Sequence, residues 1–181
     1  MIKKLSFLMF IGVYSLGFSQ IKKGERLKPM INISTFAALN LETLKKERDY
    51  SSSYNPNYQF GIETETGYQL LSWWAVSGGV RYHYMEPRFH LLSYTLGSYF
   101  FVTPTEDLSF GYINLKYGQQ FNQSLINNAQ FIHLGAGQID ISETRPHLAQ
   151  KLEVFIENHQ LIDSHWFIGI SYGITLYRNK N

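Results

Sequence analysis

Charged residues are few in the alternating stretches of this chain, and they share one side. Glu63, Glu65, Arg81, Lys116, Lys151, Glu153 and Glu157 all fall among the small polar residues of their segments. Carboxylates and cations gathered on one face could serve acid–base chemistry, or they could neutralise one another. Nothing in their spacing requires a substrate, and charges enclosed in a narrow space pair to avoid unsatisfied burial. The expectation is an ion network with a structural role, in which Glu63 pairs with Arg81.

Six histidines, His83, His90, His133, His147, His159 and His165, offer metal or acyl-transfer chemistry. No two have zincin spacing, and none stand at i, i+2 on one strand face. Neither a metal nor another cofactor is expected. Asp163-Ser164-His165, with His159 nearby, supplies the residue types of a hydrolytic triad. Acyl hydrolysis of lipid A or a phospholipid is therefore the enzymatic alternative. Neighbours on an extended strand point to opposite sides, which is poor geometry for a triad, so no enzyme is expected.

The elements that position these residues are strands. From Asn57 to Glu86 the side chains alternate. Tyr58, Phe60, Ile62 and then Val76, Val80 and Tyr82 take one face. Gln59, Glu63, Glu65 and then Ser77, Arg81 and His83 take the other. A period of two means strand, and a turn at Leu71-Ser72-Trp73 makes the pair a hairpin. A three-residue loop pairs Leu70 with Trp74, which sets Glu63 opposite Arg81 and Ile62 opposite Tyr82.

The same alternation recurs over Met30–Leu41, Phe89–Thr103, Leu108–Phe121, Ala129–Ile141, His147–His159 and His165–Arg178. The total is eight strands. Phe110 and Tyr112 share parity with the polar set, so a bulge is expected near Gly111. Ile139 and Ile141 are also out of phase. Glu42–Pro56 and Asn122–Asn128 read as loops.

Alternation alone does not say which face is buried. Three features favour lipid outside and charges inside. Glycine, serine, threonine and asparagine dominate the polar face, as a narrow interior needs, whereas a solvated wall usually carries many more Lys and Glu. Tyr68, Trp74, Tyr84 and Trp166 lie near strand ends on the apolar face, as an interfacial aromatic girdle would. The strands are long enough to cross a bilayer when tilted. The alternatives are a soluble barrel binding a small apolar ligand, or a small pore.

Composition agrees. Aromatics make up 16% of the 181 residues and hydrophobic residues 44%, and there is no cysteine. No window in the body of the chain has the roughly 20 apolar residues of a spanning helix. Residues 1–19 have the form of an export signal: Lys3 and Lys4, an apolar run from Leu5 to Leu16, then Gly17-Phe18-Ser19. The chain carries 16 Lys and Arg against 14 Asp and Glu, so losing Lys3 and Lys4 leaves a formally neutral mature chain. No basic surface remains to suit nucleic acid. Residues 20–29 read as a periplasmic leader, 30–178 as the barrel and 179–181 as a tail.

The signal before Gln20, the segment Tyr68-Gln69-Leu70-Leu71-Ser72-Trp73-Trp74, the strand Gly78-Gly79-Val80-Arg81-Tyr82 and the closing Gly169-Ile170-Ser171-Tyr172-Gly173 together resemble the small outer-membrane β-barrels of the OmpA/OmpX type. The likeness runs from Met30 to Arg178. It departs at the end, where Arg178-Asn179-Lys180-Asn181 follow Tyr177, and at Gln160–Ser164, which is short for an extracellular connection. The resemblance implies an eight-stranded antiparallel up-and-down transmembrane barrel in the cell outer membrane. It also implies contact with outer-membrane lipids and lipopolysaccharide, and insertion by the barrel-assembly machinery. A structural, surface-interaction or adhesive role through the loops is the functional expectation.

Overall fold

The computed structural model describes residues 29–44, 56–86, 88–103, 108–125 and 127–177. The expected signal, nearly all of the leader, most of the Glu42–Pro56 loop and the chain from Arg178 lie outside the described residues.

Strict alternation produces eight strands: β1 (Pro29–Asn40), β2 (Tyr58–Leu71), β3 (Trp74–Met85), β4 (Phe89–Phe101), β5 (Ser109–Gln120), β6 (Gln130–Ile141), β7 (Leu148–Gln160) and β8 (Ser164–Tyr177). One helical turn, α1 (Leu41–Leu44), follows β1. Each strand pairs antiparallel with its neighbours in sequence, and β8 closes on β1. Following inward residues around the wall shows the stagger. The path from Met30 runs through Gly67, Ser77, Gly97, Lys116, His133, Glu157 and Phe167 and meets β1 again at Asn40, ten residues beyond its start. For eight strands that stagger corresponds to a tilt of about 40°. Strands of 12–14 residues then rise about 30 Å, roughly the thickness of a bilayer's hydrocarbon core.

The wall is apolar outside and polar inside. Ile33, Ile62, Val80, Ile170 and Ile174 are all near half exposed, whereas Glu63, Glu65, Arg81 and Lys116 are at most 4% exposed. A soluble barrel would have the reverse polarity, because water must meet its outer face. The soluble apolar-ligand alternative is thereby overturned: those side chains are outside, and the interior is filled.

Three sequence expectations are corrected. The β2–β3 turn holds Ser72 and Trp73, with Leu71 opposite Trp74 and a register shift between Gln69 and Leu71. The extra residue is absorbed beside the turn, so beyond it Glu63 faces Arg81 and Ile62 faces Tyr82. No bulge disturbs β5 near Gly111, where the β5–β6 register is continuous. Phe110, Tyr112 and Ile139 point inward instead. Their apolar character looked like a phase slip, but they fill one end of the barrel.

That end carries both termini of the wall, at Pro29 and Tyr177, and is called here the turn end. Met30, Tyr99, Phe101, Phe110, Tyr112, Ile139 and Tyr177 pack there into a plug. At the opposite, loop end, Phe36, Met85, Phe89, Leu91, Phe155 and Phe167 form a second plug. The charged residues lie between the two.

Candidate functional site

The interior band is assembled across the barrel axis. Arg81 and Glu63 are register neighbours, yet they do not pair. Arg81 instead reaches Glu157, with Nη1 2.5 Å from Oε1 and Nη2 3.0 Å from Oε2. This corrects the expected hairpin pair. A guanidinium on a long stem reaches the far wall, where a carboxylate can meet it bidentately. The stem lies between rings, with the guanidinium carbon 3.6 Å from the Phe36 centroid and 4.7 Å from that of Phe131. Glu63 accepts from Lys116 Nζ at 3.0 Å, and Lys116 also meets Glu65 at 2.9 Å.

The remaining members link these two centres. Lys151 Nζ lies 3.8 Å from Glu65 and 3.5 Å from Glu153, and it donates to the Tyr99 hydroxyl at 2.9 Å. Glu65 accepts from Tyr99 at 2.6 Å and Asn32 at 3.0 Å. Glu153 accepts from Asn114 at 2.7 Å and Tyr112 at 2.8 Å. Glu157 further accepts from Gln59 at 2.7 Å. The charged groups are dehydrated, with Arg81 at 1% and Glu157 at 0% exposure. Burial of such groups is offset by these contacts, although among the described residues Arg81 Nε and Glu63 Oε1 have no hydrogen-bond partner.

His133 completes the band, and its part was missed in the sequence. Its Nδ1 lies 2.6 Å from Glu157 and its Nε2 3.0 Å from Glu153. Carboxylates only accept, so both ring nitrogens serve as donors here and the imidazole acts as a fourth cation. The register contains the signal: His133 stands between Lys116 and Glu157 on the inward path. A second clue is charge balance, since four interior carboxylates faced only three fixed cations. Gly135 makes room for this centre. A Cβ there would lie 2.8 Å from Glu153 and 2.9 Å from His133 Nε2.

The other histidines are dispersed. His83 and His159 lie inside near the loop-end plug, with ring centroids 5.5 Å apart, and His159 Nε2 meets Glu157 at 2.9 Å. His90 is outside, bonded through Nδ1 to the Tyr82 hydroxyl at 2.8 Å. Among the described residues no group of three or more His, Cys, Asp or Glu is placed to hold a metal ion. Ser164 is exposed on the outer face and takes a hydrogen bond from Asn158 at 2.7 Å. His165 is buried on the inner side, 3.8 Å from Glu42. The two side chains are on opposite faces of β8.

The girdle residues all lie on the outer wall. Tyr68 and Trp166 are near half exposed. Trp74 stacks with Trp73, which in turn stacks on Phe100 at the turn end. Tyr84 sits 5.1 Å from Phe60 and 5.2 Å from His90 near the loop end.

At the loop end itself, the β5–β6 connection folds back on the barrel. Asn122 Oδ1 accepts from Leu92 N at 2.8 Å, and its Nδ2 donates to His90 O at 2.9 Å. Gln120 donates to Asn122 O at 2.8 Å and accepts from Ala129 N at 3.0 Å. Asn128 turns the chain with φ 61°, a left-handed conformation that asparagine tolerates. An open cleft of about 550 Å³ lies among these residues.

No protein-family model matches the chain, and no curated protein sequence does. Solved structures do. Neisserial surface protein A aligns with a TM-score of 0.53 at 13% identity, over 83% of this chain and 97% of that one. The N-terminal β-barrel domain of Pseudomonas aeruginosa OprF aligns with a TM-score of 0.48 at 12% identity, over 84% of this chain and all of that one. Ail of Yersinia pestis aligns with a TM-score of 0.45 at 19% identity, over 83% and 97%. With its closed eight-stranded wall and its polarity, the chain has the fold of the small outer-membrane β-barrels of the OmpA/OmpX type.

Proposed function

We propose that this chain is a cell outer-membrane barrel that acts through its loop end, in a surface-interaction or adhesive role, with a structural interior. The inverted polarity of the wall carries the location. An apolar belt about 30 Å high suits lipid, and a closed sheet leaves no backbone group unpaired there. Tyr68, Trp74, Tyr84 and Trp166 serve as interfacial anchors. The expected partners are outer-membrane lipids, lipopolysaccharide and, during insertion, the barrel-assembly machinery. Membrane fractionation with protease shaving of intact cells tests the reading. Cleavage within residues 45–55 while the wall survives is the expected result; recovery in a soluble fraction would overturn it.

The interior argues against a pore. The ion band is closed by Phe101 and Phe110 on one side and by Phe89 and Phe167 on the other. Planar-bilayer recording should give no stable single-channel steps. The separation of Ser164 from His165 argues against acyl hydrolysis. A deacylation assay should show Ser164→Ala indistinguishable from the parent chain, both at background.

A further inference from the structure

The β5–β6 connection differs from the rest of the polar surface in three respects. It carries no charge: between Lys116 and His133 the sequence holds no Asp, Glu, Lys, Arg or His. It is rich in amides, and those of Gln123, Asn127 and Asn128 line the cleft. It also presents an aromatic ring beside them, Phe121, which is 56% exposed.

The loop is held in shape before any ligand arrives. Asn122 is bonded to the β4 backbone on both sides of its amide, and Gln120 cross-links the base of the loop. These two amides work on the protein itself. The hydrogen bonds found among the described residues use Asn122 and Gln120 in this way, whereas they do not engage the side chains of Gln123, Asn127 and Asn128. Preorganised polar groups around a cleft of small-ligand size lower the ordering cost of binding.

We infer that this cleft binds a neutral saccharide. Each amide offers two donors and one acceptor oxygen, which suits neighbouring sugar hydroxyls that both donate and accept. The exposed Phe121 face suits the C–H face of a pyranose ring, because the ring face is electronegative and the C–H edge is not. The lack of any cation disfavours phosphate, sulfate or carboxylate groups, which seek Arg or Lys. The lack of Trp, Tyr and Arg in the loop disfavours a protein partner, whose anchors are usually of those types. The sugar could belong to a glycolipid of the surrounding leaflet or to an outside glycan, since Gln119 continues the amide surface down the outer wall to Tyr94 and Tyr117.

This inference rests on the surface-interaction reading, and its test separates the two. The full chain would be refolded into nanodiscs of phospholipid alone and applied to an array of neutral, sulfated and sialylated oligosaccharides and of peptides. Retention of neutral oligosaccharides is expected, unchanged between low and high salt because no ion pair is involved. Phe121→Leu and the double variant Gln123→Ala/Asn127→Ala should each weaken binding by about tenfold, the effect of one lost hydrogen bond or ring contact. Their heat-shifted gel mobility should match the parent. Doping the nanodiscs with a neutral glycosyl diacylglycerol assigns the source: competition with the soluble sugar points to the leaflet, and its absence to an outside glycan. Preference for anionic glycans or peptides, neutral binding that survives both variants, or no binding in either format would each overturn the inference. A chain that protease shaving places on the surface but that retains no neutral sugar would leave the first reading standing.

Discussion

The ion band and the β5–β6 loop use the same chemistry to opposite ends. Inside, polar groups face one another across the axis: Glu157 alone meets Arg81, His133, His159 and Gln59. At the loop end, Gln120 and Asn122 are spent on the backbone, and the amides beyond them face the cleft. A polar group enclosed without water draws its partners from the protein, whereas one at the rim is open to a ligand. On the readings proposed above, location on the barrel, rather than residue type, separates structure from recognition.

The comparison breaks most severely at Arg81. Arg81→Leu leaves Glu157 buried without its bidentate partner, so a loss of about 3–5 kcal/mol is expected. Urea unfolding in lipid vesicles and the heat-shifted gel band would report it; unchanged behaviour would mean that the band does not hold the barrel together. Gly135→Ala should cost about 1–3 kcal/mol by crowding His133 and Glu153. The same unfolding curves check it, and no loss would show that the centre has slack.

Glu63→Gln sharpens the contrast between near and far partners. Lys116 keeps Glu65 when Glu63 loses its charge, so the expected cost is only about 1 kcal/mol. If Glu63→Gln proved as damaging as Arg81→Leu, Glu65 alone would not suffice for Lys116, and the Lys116–Glu63 pair would matter as much as the Arg81–Glu157 pair. Least of all, Gln123→Ala/Asn127→Ala should alter stability by less than about 0.5 kcal/mol, as surface changes usually do. A larger loss would make the loop part of the fold rather than of recognition.

The wall was legible in the sequence because it depends on parity. Residues such as Ile62 and Glu63 sort to opposite faces by position alone, whereas the register that opposes Glu63 to Arg81 needs both the tight turn and the shift beside it, between Gln69 and Leu71. The partners inside were not legible. They depend on how far an Arg or Lys stem reaches across a space whose width is set by stagger around all eight strands. The plugs were misread for a related reason. Phe110, Tyr112 and Ile139 are apolar yet inward, and a reading that equates inward with polar takes them for a slip in phase. His133 is not legible as a counter-charge from spacing, because its charge depends on the two carboxylates, Glu153 and Glu157, that its ring meets inside the barrel. The loop was recognised as a loop, but its clamp onto β4 through Asn122 could not be read from spacing.

The two aromatic plugs have an electrical consequence. Cations and carboxylates balance within the band and are fixed by mutual contact, and apolar stoppers separate them from both aqueous compartments. A voltage imposed across the bilayer would find no mobile charge to displace and no net charge to pull. On the closed-barrel reading proposed above, the balanced band gives an imposed field no handle inside the wall.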